Sequence, residues 1–392
     1  MKNILFIALV FYTTLQAVSL DEIINSSLSA NPSLEVITAR IEANKQSIDV
    51  ANQFTNPELS LTTNTINSSE PMSQTVLTFK QKIQYYDKRD TKQNVSMAEA
   101  DVLSEKLRFA KVALVAEIKT QAYTIWELRE LKKIINEYIT LTKRNITLYE
   151  SYTTVDPSQH MGIMKAELSL ADLDIQKSTL DAKIYGAYAR LSYLSAFKVE
   201  NLDINLVIEN KPDLAKLQKT LVNNPTIALK EKELQKQHAN VQAADINNYP
   251  DLNLIAGYAY RQNFDDYMNF GLSLSLPMYG TEDAQEEEAR ALELSFVSQK
   301  KDSEIAVDAI LQAYYAQMLS SYDIYHIIQD DALPQIGHMF ELSNSSISTG
   351  GDLFKYIDVL FNKLSLEQKS INAVANYNKA EAKIAFLAGD MK

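Results

Sequence analysis

Apolar positions recur along this chain at two periods, and the alternation between those periods comes round twice. From Leu20 to about residue 55, Leu20, Ile23, Ile24, Leu28, Leu34, Ile37, Ile41, Ile48 and Ala51 fall at roughly helical spacing. Pro32 interrupts this run and reads as the first residue of a second helix, capped by Asn31. The period then drops to two. Leu59, Leu61, Thr63 and Thr65 alternate with Glu58, Ser60, Thr62 and Asn64, as in a strand. Past the polar "NSSEPMS", Leu77, Phe79, Gln81 and Ile83 alternate with Thr78, Lys80 and Lys82, completing a hairpin. From about Asp87 to Tyr152 neither proline nor glycine occurs, and apolar residues return at three- and four-residue steps. A helix that long would reach roughly 100 Å, which points to a coiled coil or helical barrel. "TTVDPSQH" at 153–160 breaks it, and a return helix runs to about Lys198.

The second half repeats this programme. Helix is expected over 213–247, split by Pro225, and then a strand at about 250–260 carries Leu252, Leu254, Ala256, Tyr258 and Tyr260 on one face. In "FGLSLSLP", Phe270, Leu272, Leu274 and Leu276 alternate with small residues. A long helix from about Glu282 to Asn344, the turn "SSISTGGD" and a last helix to about Ala388 follow. Pro57 and Pro250 are 193 positions apart, as are Pro32 and Pro225, and adding 193 to Leu77, Phe79 and Ile83 gives Phe270, Leu272 and Leu276. "LSL" at 168–170 and 364–366 is offset by 196, so the second long arm with its turn is about three residues longer. The chain is an internal duplication of helix, hairpin and long helical hairpin. Its expected divisions are 1–19, 20–200, a linker at 201–212, and 213–392. The strands fall at about 57–66, 74–84, 250–260 and 268–277, and the turns at about 153–160 and 345–352.

Composition narrows the function classes. The 392 residues hold no cysteine, which removes disulfides, thiolate metal sites and cysteine catalysis. A net charge of −12 argues against nucleic acid as a partner. The N-terminal "MKNILFIALVFYTTLQAVS" has Lys2, an apolar run from Ile4 to Tyr12 and then small residues, with Ala17 and Ser19 as an A-x-S end before Leu20. That is the pattern of a signal peptide of an exported protein. No later stretch is apolar for the length of a transmembrane helix.

Each strand has one apolar and one small or polar face, and ten residues is about the length that spans a bilayer as a tilted strand. Tyr258, Tyr260, Phe264 and Tyr267 gather at one end of the second hairpin, with Tyr85, Tyr86 and Tyr279 at the opposite strand ends. Such a distribution fits two interfacial girdles. A small soluble sheet packed on helices would carry the same alternation. Three copies of four strands would close a barrel without edges.

In this order over nearly the full length, "LDEIINSSLSANPSLEVITARIEA" with "NPELSL", "NNPTIALKEKEL…YPDLNLIAGYAY…FGLSLSLP" and "GGDLFKYIDVLFNKLSLEQ" resemble the TolC-type outer membrane factor family. The resemblance implies a mainly α protein with a membrane β-barrel: a homotrimer with a twelve-stranded barrel in the outer membrane and a periplasmic α-helical barrel. It implies a passive exit duct; for an enzyme, the third class, the sequence offers no nucleophile–base set, phosphate loop or metal motif, and no cofactor is expected. Its partners would be a periplasmic adaptor (membrane fusion) protein, an inner membrane efflux pump and outer membrane lipid. The compact chain and "NPELSL" lean toward the heavy-metal cation branch, with multidrug efflux and type I secretion as the other cargo classes. A periplasmic coiled-coil adaptor is the competing non-channel reading, and the duplicated hairpin speaks against it.

The lipid-facing set is Leu59, Leu61, Leu77, Phe79, Leu252, Leu254, Leu272 and Leu274. Asp358, in "KYIDVL", matches the first aspartate of the family's constriction pattern, whose second position is here Phe361. The resemblance makes Asp358 the gate candidate and places adaptor docking at the turns, at Asp156, Pro157, Gly350, Gly351 and Asp352. His160, His238, His326 and His338 are scattered without metal-ligand spacing. The run of Glu282, Asp283, Glu286, Glu287 and Glu288 starts a helix, where acidic residues complement its dipole.

Overall fold

The computed structural model describes residues 18–64, 71–151, 157–347 and 351–391. Contacts gather the chain into two units, one of Met1–Leu34, Ala110–Asn224 and Val307–Lys392, the other of Glu35–Phe109 and Pro225–Ala306.

The elements follow the duplicated order. β1 (Val18–Ser19) leads into α1 (Leu20–Ala30) and α2 (Pro32–Ala51), then β2 (Glu58–Thr63), β3 (Gln74–Ile83), α3 (Tyr86–Ser151) and α4 (Pro157–Ser195). The second round is β4 (Leu202–Asp203), α5 (Leu214–Thr220), α6 (Pro225–Asp245), β5 (Leu252–Arg261), β6 (Tyr267–Leu274), α7 (Thr281–His326), α8 (Leu333–Ile347) and α9 (Leu353–Ala388). The architecture is mostly helical with a small sheet.

The repeated Asn-Pro pairs have a side-chain reason. Asn31 sits in extended backbone before Pro32, as a residue before proline prefers, and its Oδ1 accepts the Ser33 N–H at 2.9 Å, capping α2. Its Nδ2 donates to the Leu194 carbonyl at 2.8 Å, in the last turn of α4. Asn224, 193 positions on, donates from Nδ2 to the Leu387 carbonyl at the same 2.8 Å, in the last turn of α9. Last-turn carbonyls have no partner within their own helix. Each asparagine therefore joins the start of one helix to the end of another, 163 residues away. Replacing Asn31 or Asn224 by Asp keeps the acceptor but removes the amide donor. We expect each change to cost about 1–3 kcal/mol, roughly additively in the double variant, read from thermal unfolding of the helical signal.

A second duplicated bond holds the other unit. Asn44 donates to the Ser96 carbonyl at 2.9 Å and Gln237 to the Ala289 carbonyl at 3.0 Å, each spanning 52 residues. Both amides are buried where α2 meets α3 and α6 meets α7.

The second descending arm is not one α-helix, contrary to the expectation over 282–344. Ile327–Ala332 is a π-helical turn between α7 and α8, with the Leu333 N–H bonding back to the Ile328 carbonyl. Pro334 follows it, and a proline within a helix removes a donor and crowds the carbonyl four residues back, which the wider turn relieves. Gln329, in the wide turn, donates to Ser370 Oγ at 2.9 Å.

The stretch 201–212, read as a linker, is fastened. Leu202 and Asp203 pair in parallel with Val18 and Ser19, Tyr377 Oη donates to the Asn210 carbonyl at 2.6 Å, and Asn378 Nδ2 to the Val207 carbonyl at 3.1 Å.

In the other unit, four strands form one antiparallel sheet in the order β2-β3-β5-β6. The repeat keeps faces but not pairing. Leu59 pairs with Phe79, whereas Leu252, its counterpart, pairs with Leu274 rather than Leu272. A slip of two leaves every side chain on its original face. The β5–β6 turn sets this register: the Arg261 N–H donates to Asp266 Oδ1 at 2.9 Å and Arg261 Nε to the Asp265 carbonyl at 2.8 Å.

Candidate channel wall and gate

Pairing lines up the alternating residues of the four strands into rows. On one face run Leu61–Leu77–Tyr258–Met268, Leu59–Phe79–Ala256–Phe270, then Gln81–Leu254–Leu272 and Ile83–Leu252–Leu274. All eight residues expected to face lipid therefore share one face. All but Leu252 are exposed, Leu61 at 71% and Leu59 at 69%. The opposite face carries Glu58–Lys80–Ile255–Gly271 and Ser60–Thr78–Gly257–Asn269. A Cβ at Gly257 would lie 2.0 Å from Asn269 Oδ1, so a larger residue would displace that amide.

The base of the sheet holds a polar knot that the period-two pattern does not reveal. Asp251 immediately precedes β5. Its Oδ1 accepts the Tyr85 N–H at 3.1 Å and Lys88 Nζ at 3.0 Å, and its Oδ2 pairs with Lys82 Nζ at 2.9 Å. Lys88 also donates to the Tyr249 carbonyl at 2.6 Å, and the Tyr85 and Tyr249 rings stack at 4.6 Å. Burial pushes the Asp251 carboxyl up, but Lys82, the Tyr85 N–H and Lys88 together outweigh it and hold it below the usual carboxylate range. "KIQYYDK" and "YPD" carry these residues 161–169 positions apart, a contact that spacing alone cannot give.

In the other unit, α3, α4 and α9 close a core of Ile135, Ile139, Ile146, Ala166, Leu173, Leu353, Ile357 and Leu360, with Tyr138, Tyr149 and Tyr356 among them. Asp358 lies on the exposed side of α9. Its Oδ1 meets Lys165 Nζ of α4 at 2.5 Å, and the same ammonium stands 3.4 Å from the Phe354 ring centroid. The gate candidate thus carries its own countercharge. Phe361, where the resemblance leads one to look for a second aspartate, packs against the core.

The turn residues divide. Asp156 and Gly350 lie outside the described residues, and Pro157 opens α4. Asp352 caps α9, accepting the Phe354 N–H at 2.9 Å. Gly351 is required by space: a Cβ there would lie 2.1 Å from Ser346 Oγ, while its N–H donates to the Ser346 carbonyl at 2.9 Å. Its carbonyl accepts from the Tyr149 hydroxyl, which fastens this turn to the end of α3.

Several of the remaining polar candidates have partners. His238 meets Glu293 at 2.8 Å and His326 meets Asp330 at 3.1 Å. Glu282 and Asp283 occupy the first turn of α7, and Glu286 pairs with Arg290 at 2.6 Å. Among the described residues no helix is long and apolar enough to cross a membrane, and no group of three or more His, Asp or Glu is placed to hold a metal ion.

No protein-family description matches the sequence, and no curated protein does. Solved structures match over almost the whole chain. CusC is similar with a TM-score of 0.80 and 13% identity, over 95% of this chain and 92% of that one. The MtrE outer membrane channel of Neisseria gonorrhoeae matches with a TM-score of 0.80 and 14% identity, over 95% and 89%. The CmeC outer membrane channel of Campylobacter jejuni matches with 0.79 and 12%, over 94% and 85%. At such identity the likeness is one of fold. The chain has the fold of the TolC-type outer membrane efflux channels.

Proposed function

We propose that this protein is the outer membrane exit duct of a tripartite efflux system. It passively conducts what an inner membrane pump and a periplasmic adaptor deliver, heavy-metal cations in preference to drugs. The observation that carries the reading is the sheet. One face is a largely apolar, largely exposed surface, and β2 and β6 stand at the two edges of the four-stranded sheet. In water such a face and such edges invite aggregation. In a homotrimer with β6 of one copy beside β2 of the next, twelve strands close, the apolar face meets lipid and the small and polar face lines the lumen. The turns at Asp156–Pro157 and Gly350–Asp352 are the adaptor's docking points in this reading. The protein is a conduit and not an enzyme.

The cation preference rests on the resemblance carried by "NPELSL" and the compact chain. Deleting the gene and measuring growth across zinc, copper, cobalt, cadmium and silver, beside bile salts, dyes and antibiotics, tests it. Selective metal sensitivity, restored by complementation, supports it, and sensitivity to organic compounds instead would make the protein a multidrug duct.

Three Asp358 carboxylates would ring the trimer's tunnel, each shared with Lys165. We expect Lys165→Ala to raise the channel's preference for cations and Asp358→Ala to lower it, both read from single-channel reversal potentials. Equal selectivity in both variants would remove Asp358 from the gate.

A further inference from the structure

We propose that the mature protein begins at Val18, released by hydrolysis of the Ala17–Val18 peptide bond. This rests on the reading of the protein as exported.

The two residues ahead of α1 are part of the fold. Val18 pairs with Leu202 and Ser19 with Asp203, and the Val18 N–H donates to the Asn201 carbonyl at 3.1 Å. Leu202 is 1% exposed, and its carbonyl accepts Arg129 Nη1 at 2.6 Å, so β1 lies on a strand anchored to α3. Ser19 caps α1 in both directions: its Oγ accepts the Glu22 N–H at 3.3 Å, and its own N–H donates to Glu22 Oε2 at 3.0 Å.

A cut before Leu20, which the A-x-S end of Ala17 and Ser19 suggests, would remove all of this. It would delete the strand pair and the cap, and would leave a positive ammonium on the first helical residue. That end of a helix already carries unpaired N–H groups and the positive end of the dipole. A cut before Val18 preserves every bond. Water adds across the amide, Ala17 leaves as a carboxylate, and the Val18 nitrogen stays a donor to Asn201, now as an ammonium. Asp21 and Glu22 in the first turn of α1, with Asp203 opposite Ser19, supply negative charge nearby. At the cleavage position Ala17 is the small residue a signal peptidase takes, while Leu15, two before it, is aliphatic rather than small. The bond is cut during export, before the chain folds.

The test is N-terminal sequencing and intact mass of protein purified from the outer membrane fraction. A chain opening Val-Ser-Leu is expected. A chain opening at Leu20 overturns the site and leaves the export reading standing; a chain that retains Met1 overturns both. Ser19→Phe separates the two sites further. It puts a bulky residue at the last position before a Leu20 cut but only at the second mature position after a Val18 cut. Processing at the wild-type rate, with Val18 still first, is expected, and accumulation of uncut precursor would overturn the proposal.

Discussion

Asp251→Ala is expected to cost about 3–5 kcal/mol of stability, the range for removing one partner of a buried ion pair. The change leaves the Lys88 ammonium, with a side chain only 8% exposed, without its carboxylate. Lys82 is 44% exposed and can turn to water, so the penalty comes from Lys88 and from the orphaned Tyr85 N–H. Asp251→Asn retains an oxygen for that N–H and should fall between. Lys88→Met removes the charge together with its need for a partner and should cost less than Asp251→Ala, although the Tyr249 carbonyl loses its donor. Urea unfolding of the purified protein ranks the three. If Asp251→Ala costs no more than Lys88→Met, the buried charge is not what matters. The acid limb gives a second readout. The Asp251 carboxyl is held below its ordinary value when folded, so its contribution is complete above the unfolded pKa of about 3.9. That contribution is lost as pH falls through the folded value. Below about pH 4 the Asp251→Ala protein should lose stability less steeply than the parent.

The second large effect is expected at Phe79. Phe79→Arg puts a guanidinium in the middle row of the apolar face, between Leu59 and Ala256. At mid-depth in a bilayer such a change costs about 2–4 kcal/mol per copy, and in the proposed trimer three copies would share one barrel. Thr78→Arg, one residue away, places the same charge on the opposite face and should assemble nearly as the parent does. Phe79→Leu controls for the lost ring. The readout is the fraction of protein that stays in the membrane through alkaline extraction. Equal retention of the two arginine variants would mean that the face carrying Leu59, Leu61 and Phe79 does not meet lipid.

Much of this was legible in the sequence because periodicity and punctuation report local structure. Strand alternation placed Leu59, Leu77, Leu254 and Leu272 on one face, and Pro32 and Pro225 marked helix starts through their fixed φ and missing N–H. What stayed hidden depends on distant partners. "SANPS" announces a cap, but not that Asn31 reaches Leu194. "KYID" offers a carboxylate, but not the Lys165 ammonium 193 residues earlier that shares it. Pro334 stood in plain view, yet the unbroken apolar rhythm on either side concealed a wide turn, since a π-turn lets the core-facing stripe continue past it. The register slip of the second hairpin was invisible for a related reason: an even slip leaves the pattern of faces unchanged.

The asparagine ties have a bearing on the chain's history. Duplicate copies of a gene drift, and loop length is usually the first thing to go. Here α3 and α8 end 196 residues apart and α4 and α9 begin 196 apart, yet the Asn31–Leu194 and Asn224–Leu387 bonds span the same 163 residues. The second copy therefore gained about three residues on the way to its turn and gave up about three on the way back. With both ends of each span pinned, a lone insertion would have pulled Leu387 off Asn224. Only compensated pairs of changes could persist, so ancestry in this half is written as a moved turn and not as a longer one.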